Sequence, residues 1–292
     1  MNTTEAAIAR LTPERRQADE WGLVLTAADV GHAVQAHLGQ WAVVVSVSDA
    51  ARAHAILDAY DNENQRRREA RPAAGEYGPT YAGILTALGL VGFYATLLWT
   101  NRDTAWLHAG EATAARILDG EVWRVVTALT LHASPAHIAG NAVCCAIFVT
   151  ALCRALGPGV GLWITLLAGA GGNALNAALR GAPHSAVGAS TAVFGAVGAL
   201  GALQFVNRSR VGLARWRAWL PIAAALGLLA MLGTSTESDV LAHLFGFIVG
   251  GLLGVIAALT MSPLPGRLVQ TILVAAVLAT LTAAWLVALC RP

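Results

Sequence analysis

The sequence predicts an all-α polytopic membrane protein preceded by a small α/β domain, and three observations carry that prediction. Of 292 residues, 56% are hydrophobic and only 12% are charged, and the mean hydropathy is strongly positive, a balance that argues against a soluble globular chain. The apolar residues gather into stretches close to the roughly 20 residues that a spanning helix needs. Seven such stretches occur, at about 80–99, 135–154, 160–179, 188–206, 217–233, 240–260 and 268–290. The first 79 residues differ: they hold most of the acidic residues and the run Arg66-Arg67-Arg68-Glu69-Ala70-Arg71-Pro72, with no spanning stretch.

That leading segment reads as strand 21–26, helix 28–38, strand 41–47 and helix 48–63. Trp21-Gly-Leu-Val-Leu and Trp41-Ala-Val-Val-Val are short β-rich runs, and Ser48 is a fair N-cap for the alanine-rich segment after it. The opening Met1-Asn-Thr-Thr-Glu lacks both a basic n-region and an apolar h-region, so the domain is expected to stay in the cytoplasm. Topology follows from the bias of basic residues toward cytoplasmic loops. With the amino terminus inside, Arg66 to Arg71, Arg154, Arg208, Arg210, Arg215, Arg217 and Arg267 fall on the cytoplasmic side. Arg102, Arg116, Arg124, Arg180 and Arg291 fall outside, together with every acidic residue after position 79. The near-neutral net charge says nothing in favour of nucleic acid.

In this topology the second, fourth and sixth spans all enter from the outer face. In the second, Ser134-Pro135 reads as an N-cap followed by proline at the first helical position. His137 then lies in the first turn, with Asn141 one turn deeper on the same face. Gly188 opens the fourth span with Ser190 just inside it; Asp239 is a plausible cap for the sixth, with His243 about one turn in. Ionisable groups in spanning helices are costly and normally face the bundle interior or a water-filled cavity. A single histidine there reads best as a packing residue; a set at matched depth on three helices reads as a site. Gly246, Gly250 and Gly254 form a ladder of four-residue spacing on the sixth span, and Gly188, Gly195, Gly198 and Gly201 punctuate the fourth. Small residues so placed let membrane helices pack backbone to backbone, which would bring His243 within reach of Ser190.

Over most of positions 80–260 the chain resembles the rhomboid intramembrane serine proteases. Glu121-Val-Trp123-Arg124, followed by His132, His137 and Asn141, is similar to the family's tryptophan-arginine element and its histidine, histidine, asparagine spacing. Gly188 and Ser190 match its Gly-x-Ser element, and Ala242-His243-Leu-Phe-Gly246 its Ala-His-x-x-Gly pattern. Each string is short, but their order on alternate helices makes the signal specific. The resemblance implies a rhomboid-like six-helix core plus one C-terminal transmembrane helix, with residues 1–75 a small cytoplasmic α/β domain, 76–262 the catalytic core and 263–292 the added helix. The leading domain also resembles, at the level of pattern, small cytoplasmic domains attached to some bacterial rhomboids, which raises a cytoplasmic partner as an expectation.

What the resemblance implies for the site is a dyad, with Ser190 as nucleophile and His243 as general base, needing no acid to orient the base; the spans contain no Asp or Glu. It further implies an oxyanion site from His137, Asn141 and the Ser190 backbone N–H, and support from His132, Trp123, Arg124, Gly188, Phe194 and Gly246. Two positions depart from the family: Thr191 stands where many members have glycine, and Phe194 where tyrosine is frequent. The segment 100–134, with Trp106, Leu107, Ile117, Leu118, Val122 and Trp123, is expected to lie in the outer interface, and Arg215-Trp216-Arg217-Ala-Trp219 to anchor the fifth span at the other. His184, in the loop before Ser190, is a rival base that His243 outranks. Cys144, Cys145, Cys153 and Cys290 lack metal spacing or a disulfide framework, so neither metal nor cofactor is expected. Asn173 and Asn176 read as interhelical hydrogen-bonding residues. The expected activity is cleavage of single-span membrane proteins near the outer end of the span, in a bacterial inner membrane, with the site opening toward the periplasmic face. The alternative is an inactive rhomboid-like protein that binds membrane clients; a transporter is more distant, since the polar groups cluster near one face rather than tracing a route across.

Overall fold

The computed structural model describes residues 6–69, 77–181, 183–210, 215–232 and 239–290. The chain divides into two compact units, Met1–Pro72 and Ala73–Pro292; the expected boundary at 75/76 lies outside the described residues.

The first unit has the order β1 (Ala6–Thr12), α1 (Arg15–Ala27), β2 (His32–His37), β3 (Gln40–Ser46) and α2 (Ala50–Glu69). Its strands form an antiparallel sheet in the order β1-β3-β2. The strand at 41–47 and the helix after it match expectation, whereas the segment 21–26 is helical and 28–38 holds a strand rather than a helix. The physical reason is visible in the burial. Ala18, Trp21, Gly22 and Leu25 are the buried residues of α1, a helical repeat that outweighs the β-rich composition of the run. Leu38 and Gly39 both take positive φ, 47° and 80°, as a two-residue hairpin between antiparallel strands requires, so His32–His37 pairs with β3. The alanine-rich β1 has little strand propensity of its own and is recruited by the Val43–Val45 edge of β3. Ser46, not Ser48, caps the entry to α2 through a 3.2 Å bond from the Asp49 amide. Trp21, Leu25, Val43, Val45 and Leu57 form this unit's core.

The second unit is a bundle of apolar helices. Six among the described residues are long and apolar enough to cross a membrane. These are α3 (Ala82–Trp99); the rod formed by α7 (Pro135–Cys144), a π turn at Cys145–Val149 and α8 (Thr150–Leu156); α9 (Pro158–Arg180); α10 (Ser190–Arg210); α12 (Val240–Thr260); and α13 (Arg267–Cys290). The seventh expected span is α11 (Arg215–Leu232), which carries a shorter apolar stretch, Trp219–Leu228, and Pro221 within it. Of the expected anchor around Arg215, the described side chain is that of Trp219, whose ring lies 4.8 Å from that of Phe205. Between α3 and α7 come α4 (Asp103–Gly110), β4 (Ala112–Thr113), α5 (Ala114–Leu118) and α6 (Arg124–Thr127). Here Arg124 is 2% exposed and holds the turn together, bonding Glu121 at 2.5 Å and the carbonyls of His108 and Glu111 at 3.0 Å each.

The glycines decide how close the central helices come. A Cβ at Gly246, Gly250 or Gly254 would meet the carbonyl oxygen of Thr191, Gly195 or Ala199 at 2.2, 2.0 or 2.6 Å. The two ladders thus run in register, each of four-residue period, and α10 and α12 pack backbone against backbone. The added helix α13 is pinned by Gln270, 1% exposed, which accepts from the Val160 amide at 3.0 Å and donates to the Leu156 carbonyl at 2.9 Å. Farther along α13, Trp285 donates to Thr130 at 3.1 Å, and Trp123 packs against Ala284 and Ala288.

Candidate active site

Three helix starts converge on one cavity of about 650 Å³, lined by His137, Asn141, Gly188, Ser190, Thr191, Phe194 and His243 among others. Each start is built by its own local chemistry. Ser134 caps α7 by accepting from the His137 amide at 3.2 Å, with Pro135 at the first helical position. Asp239 caps α12 through Oδ1, which accepts from the Ala242 amide at 3.2 Å. The turn into α10 runs through Gly188 at φ 125°, where a Cβ would stand 2.7 Å from the His137 ring. Only glycine suits that backbone conformation and leaves room for the imidazole.

Ser190 Oγ and His243 Nε2 lie 2.7 Å apart. The hydroxyl can therefore donate to a neutral imidazole, the geometry of a nucleophile held by its base. His243 is 4% exposed, and its ring is 4.8 Å from that of Phe194. Thr191, also 4% exposed, turns its methyl toward Gly172 and Gly246, so the departure from glycine is absorbed where α9, α10 and α12 meet. Ser190 is the first residue of α10, and first-turn amides have no partner within a helix. Its N–H therefore has no acceptor within α10 and lies at the positive end of that helix.

Asn141 donates one amide hydrogen to the His137 carbonyl at 3.1 Å, which leaves its second for the cavity that both residues line. His132 is 5% exposed, its ring centred 5.2 Å from that of His137. Burial, then the proximity of His137, push the His132 imidazole down to about 4, against a lesser pull from the Thr130 carbonyl. It is thus a neutral wall behind His137 at ordinary pH.

Arg180, His184 and Asp239 also line the cavity, and with Asn176 they form a cluster that sequence reasoning treated as separate residues. Asp239 Oδ2 accepts from His184 Nε2 and from Asn176 Nδ2, each at 2.5 Å. Arg180 lies 3.3 Å from His184 Nδ1. Burial alone would raise the Asp239 carboxyl, but the Ala242 amide, His184 and Asn176 together outweigh it and hold the group below the usual carboxylate range. His184 is thereby engaged with Asp239 and not with Ser190. Asn173 instead donates to the Val125 carbonyl at 3.0 Å. The four cysteines are free thiols, and the described residues contain no group of three or more His, Cys, Asp or Glu side chains able to hold a metal.

Residues 119–260 match the model of the Rhomboid domain. Over 150 residues the chain is 35% identical to rhomboid protease GluP of Bacillus subtilis (strain 168), a match that covers 50% of this chain and 29% of GluP. It is 28% identical over 160 residues to a second relative from the same organism, YdcA, covering 55% of this chain and 76% of that one.

Proposed function

From its membership of the rhomboid family, we propose that this multi-pass membrane protein is an intramembrane serine endopeptidase acting through Ser190 and His243. The observation that carries the reading is the 2.7 Å contact between Ser190 Oγ and His243 Nε2 inside a cavity of about 650 Å³. Ser190 attacks the scissile carbonyl while His243 takes its proton, then returns it to the departing amine. The oxyanion is received by the Ser190 N–H, His137 and the second amide hydrogen of Asn141. Donors organised in advance in a low-dielectric site stabilise the developing charge strongly. Water then enters the cavity and releases the acyl group from Ser190. His132, Trp123, Arg124, Gly188, Phe194 and Gly246 hold the parts in place.

The substrate is a membrane protein with one spanning helix. Its peptide bonds are shielded by their own hydrogen bonds, so the cut falls where small or helix-weakening residues let the helix unwind near the end of its span. The basic residues argue for a cytoplasmic amino terminus, hence for a cavity opening toward the periplasmic face of a bacterial inner membrane. Residues 1–75 then form a cytoplasmic domain that can take a partner, 76–262 the catalytic core, and 263–292 an added helix. An inactive client-binding protein is the weaker reading, because a paired serine and histidine give such a protein no advantage. Mass spectrometry of fragments from a single-span substrate in proteoliposomes tests the proposal. The expected cut lies within the span near its outer end; cleavage confined to extramembrane segments, or none across substrates with helix-weakened spans, contradicts it.

A further inference from the structure

The Ser190–His243 contact is the inner of two links between the same pair of segments. Six residues before Ser190 stands His184, and four before His243 stands Asp239, and these two are bonded at 2.5 Å. The loop and the helix start therefore close a ring, with the reacting pair on the inside and a carboxylate–imidazole pair at the rim. The loop side of the ring is fixed independently. The Ala114 amide donates to the His184 carbonyl at 2.8 Å, β5 (Ser185–Ala186) pairs with β4, and the Gly188 amide donates to the Ala128 carbonyl at 2.9 Å. The helix side is held more deeply by the glycine ladder, which begins only at Gly246 against Thr191. Above that contact, the first turn of α12 meets the loop through the dyad and through Asp239.

We propose that Asp239 is a positioning residue for the reaction: one carboxylate oxygen caps the His243 helix, and the other grips His184 and Asn176, so that the rim sets the approach of His243 to Ser190. The hydrogen-bond polarity is self-consistent. His184 Nε2 can donate to Asp239, with Arg180 3.3 Å from its Nδ1, and Asn176 donates to the same carboxylate oxygen. Both members of the pair are largely shielded, with His184 and Asp239 side chains 21% and 12% exposed, where such charge-assisted bonds are short and strong. Asp239 also reaches His243 through the backbone of its own helix start, the Asp239 carbonyl accepting from the His243 amide at 3.0 Å.

This inference rests on Ser190 and His243 being the reacting pair, and the test separates the two claims. The rate at which a serine-directed fluorophosphonate labels Ser190 in the full chain reads the dyad without any substrate. Asp239→Ser keeps an acceptor that can cap α12 but cannot span to His184; His184→Ala cuts the link from the other side. Each is expected to slow labelling about tenfold, since small misplacements of reacting groups are costly. Peptide cleavage should lose kcat with KM unchanged, and the unfolding midpoint should stay near the parent's. The double variant should be no slower than either single one, because both remove the same link. His184→Gln, which keeps an N–H donor, should recover most of the rate. Parent-like labelling of Asp239→Ser, or losses that multiply in the double variant, would overturn the proposal and leave Asp239 a plain helix cap. A parent that labels no faster than Ser190→Ala overturns the active-site reading itself, and the proposal with it.

Discussion

At the level of single residues, the site is a set of small steric and electrostatic decisions around Ser190. Gly188 removes a side chain so that the His137 ring can lie against the backbone, and Asn141 spends one hydrogen on its own helix while keeping another for the cavity. If that second hydrogen meets the oxyanion, Asn141→Ala should lower kcat by about 10²–10³-fold with little change in KM, as read by steady-state peptide cleavage. A parallel fall in unfolding temperature and protein yield would instead make Asn141 a packing residue. His132 offers a second prediction, in stability rather than rate. Its folded value of about 4 lies below the unfolded value near 6.5, so the unfolded chain binds the extra proton between those values. Its contribution is therefore complete above about pH 6.5 and is lost as the pH falls toward 4. Replacing His132 with Asn should flatten the pH dependence of the unfolding free energy across that window; an unchanged acid slope would contradict the burial argument.

Among elements, the contrast between what could and could not be read from sequence is instructive. The place of Ser190 and His243 in the first turns of their helices was legible because caps and the starts of apolar runs mark helix beginnings. The close approach of α10 and α12 was legible in the four-residue glycine spacing of α12, but the register was not, since the ladder meets Thr191, Gly195 and Ala199 and only Gly195 is among the glycines that mark the fourth span. The rim cluster was not: Asn176 and His184 reach Asp239 across 63 and 55 residues, and polar side chains at helix ends carry no period. In the first unit, composition pointed to a strand at 21–26, and the 18, 21, 22, 25 repeat of buried residues in α1 was the stronger signal. The π turn at Cys145–Val149 has no sequence signature at all. The ladder makes the sharpest prediction at this scale. Gly250→Val would place side-chain atoms where a Cβ alone already meets the Gly195 carbonyl at 2.0 Å, forcing α10 and α12 apart. Thermal unfolding in detergent should drop by several degrees and Ser190 labelling should fall with it; Gly89→Val, in open space on α3, should do neither.

Taken as a whole, the molecule keeps its candidate site within one of its two units. Every candidate site residue belongs to the second unit, Ala73–Pro292, and the short elements between α3 and α7, the Gln270 clamp and the tryptophans near α13 brace that unit. The first unit has a core of its own around Trp21 and Leu57. A chain shortened to begin near Gly75 should therefore retain peptide cleavage within about twofold of the parent in the same lipid, on the order of RT in barrier height. A large loss with the fold intact would give the leading domain a direct part in catalysis. The central claim, that a serine and a histidine on neighbouring helices hydrolyse peptide bonds within the membrane, is tested most directly by one comparison. Purified protein in proteoliposomes is given a single-span substrate, and cleavage is measured for the parent, Ser190→Ala and His243→Ala. The account predicts cleavage by the parent and none above background in either folded variant. Equal cleavage by all three would contradict it and place the nucleophile elsewhere.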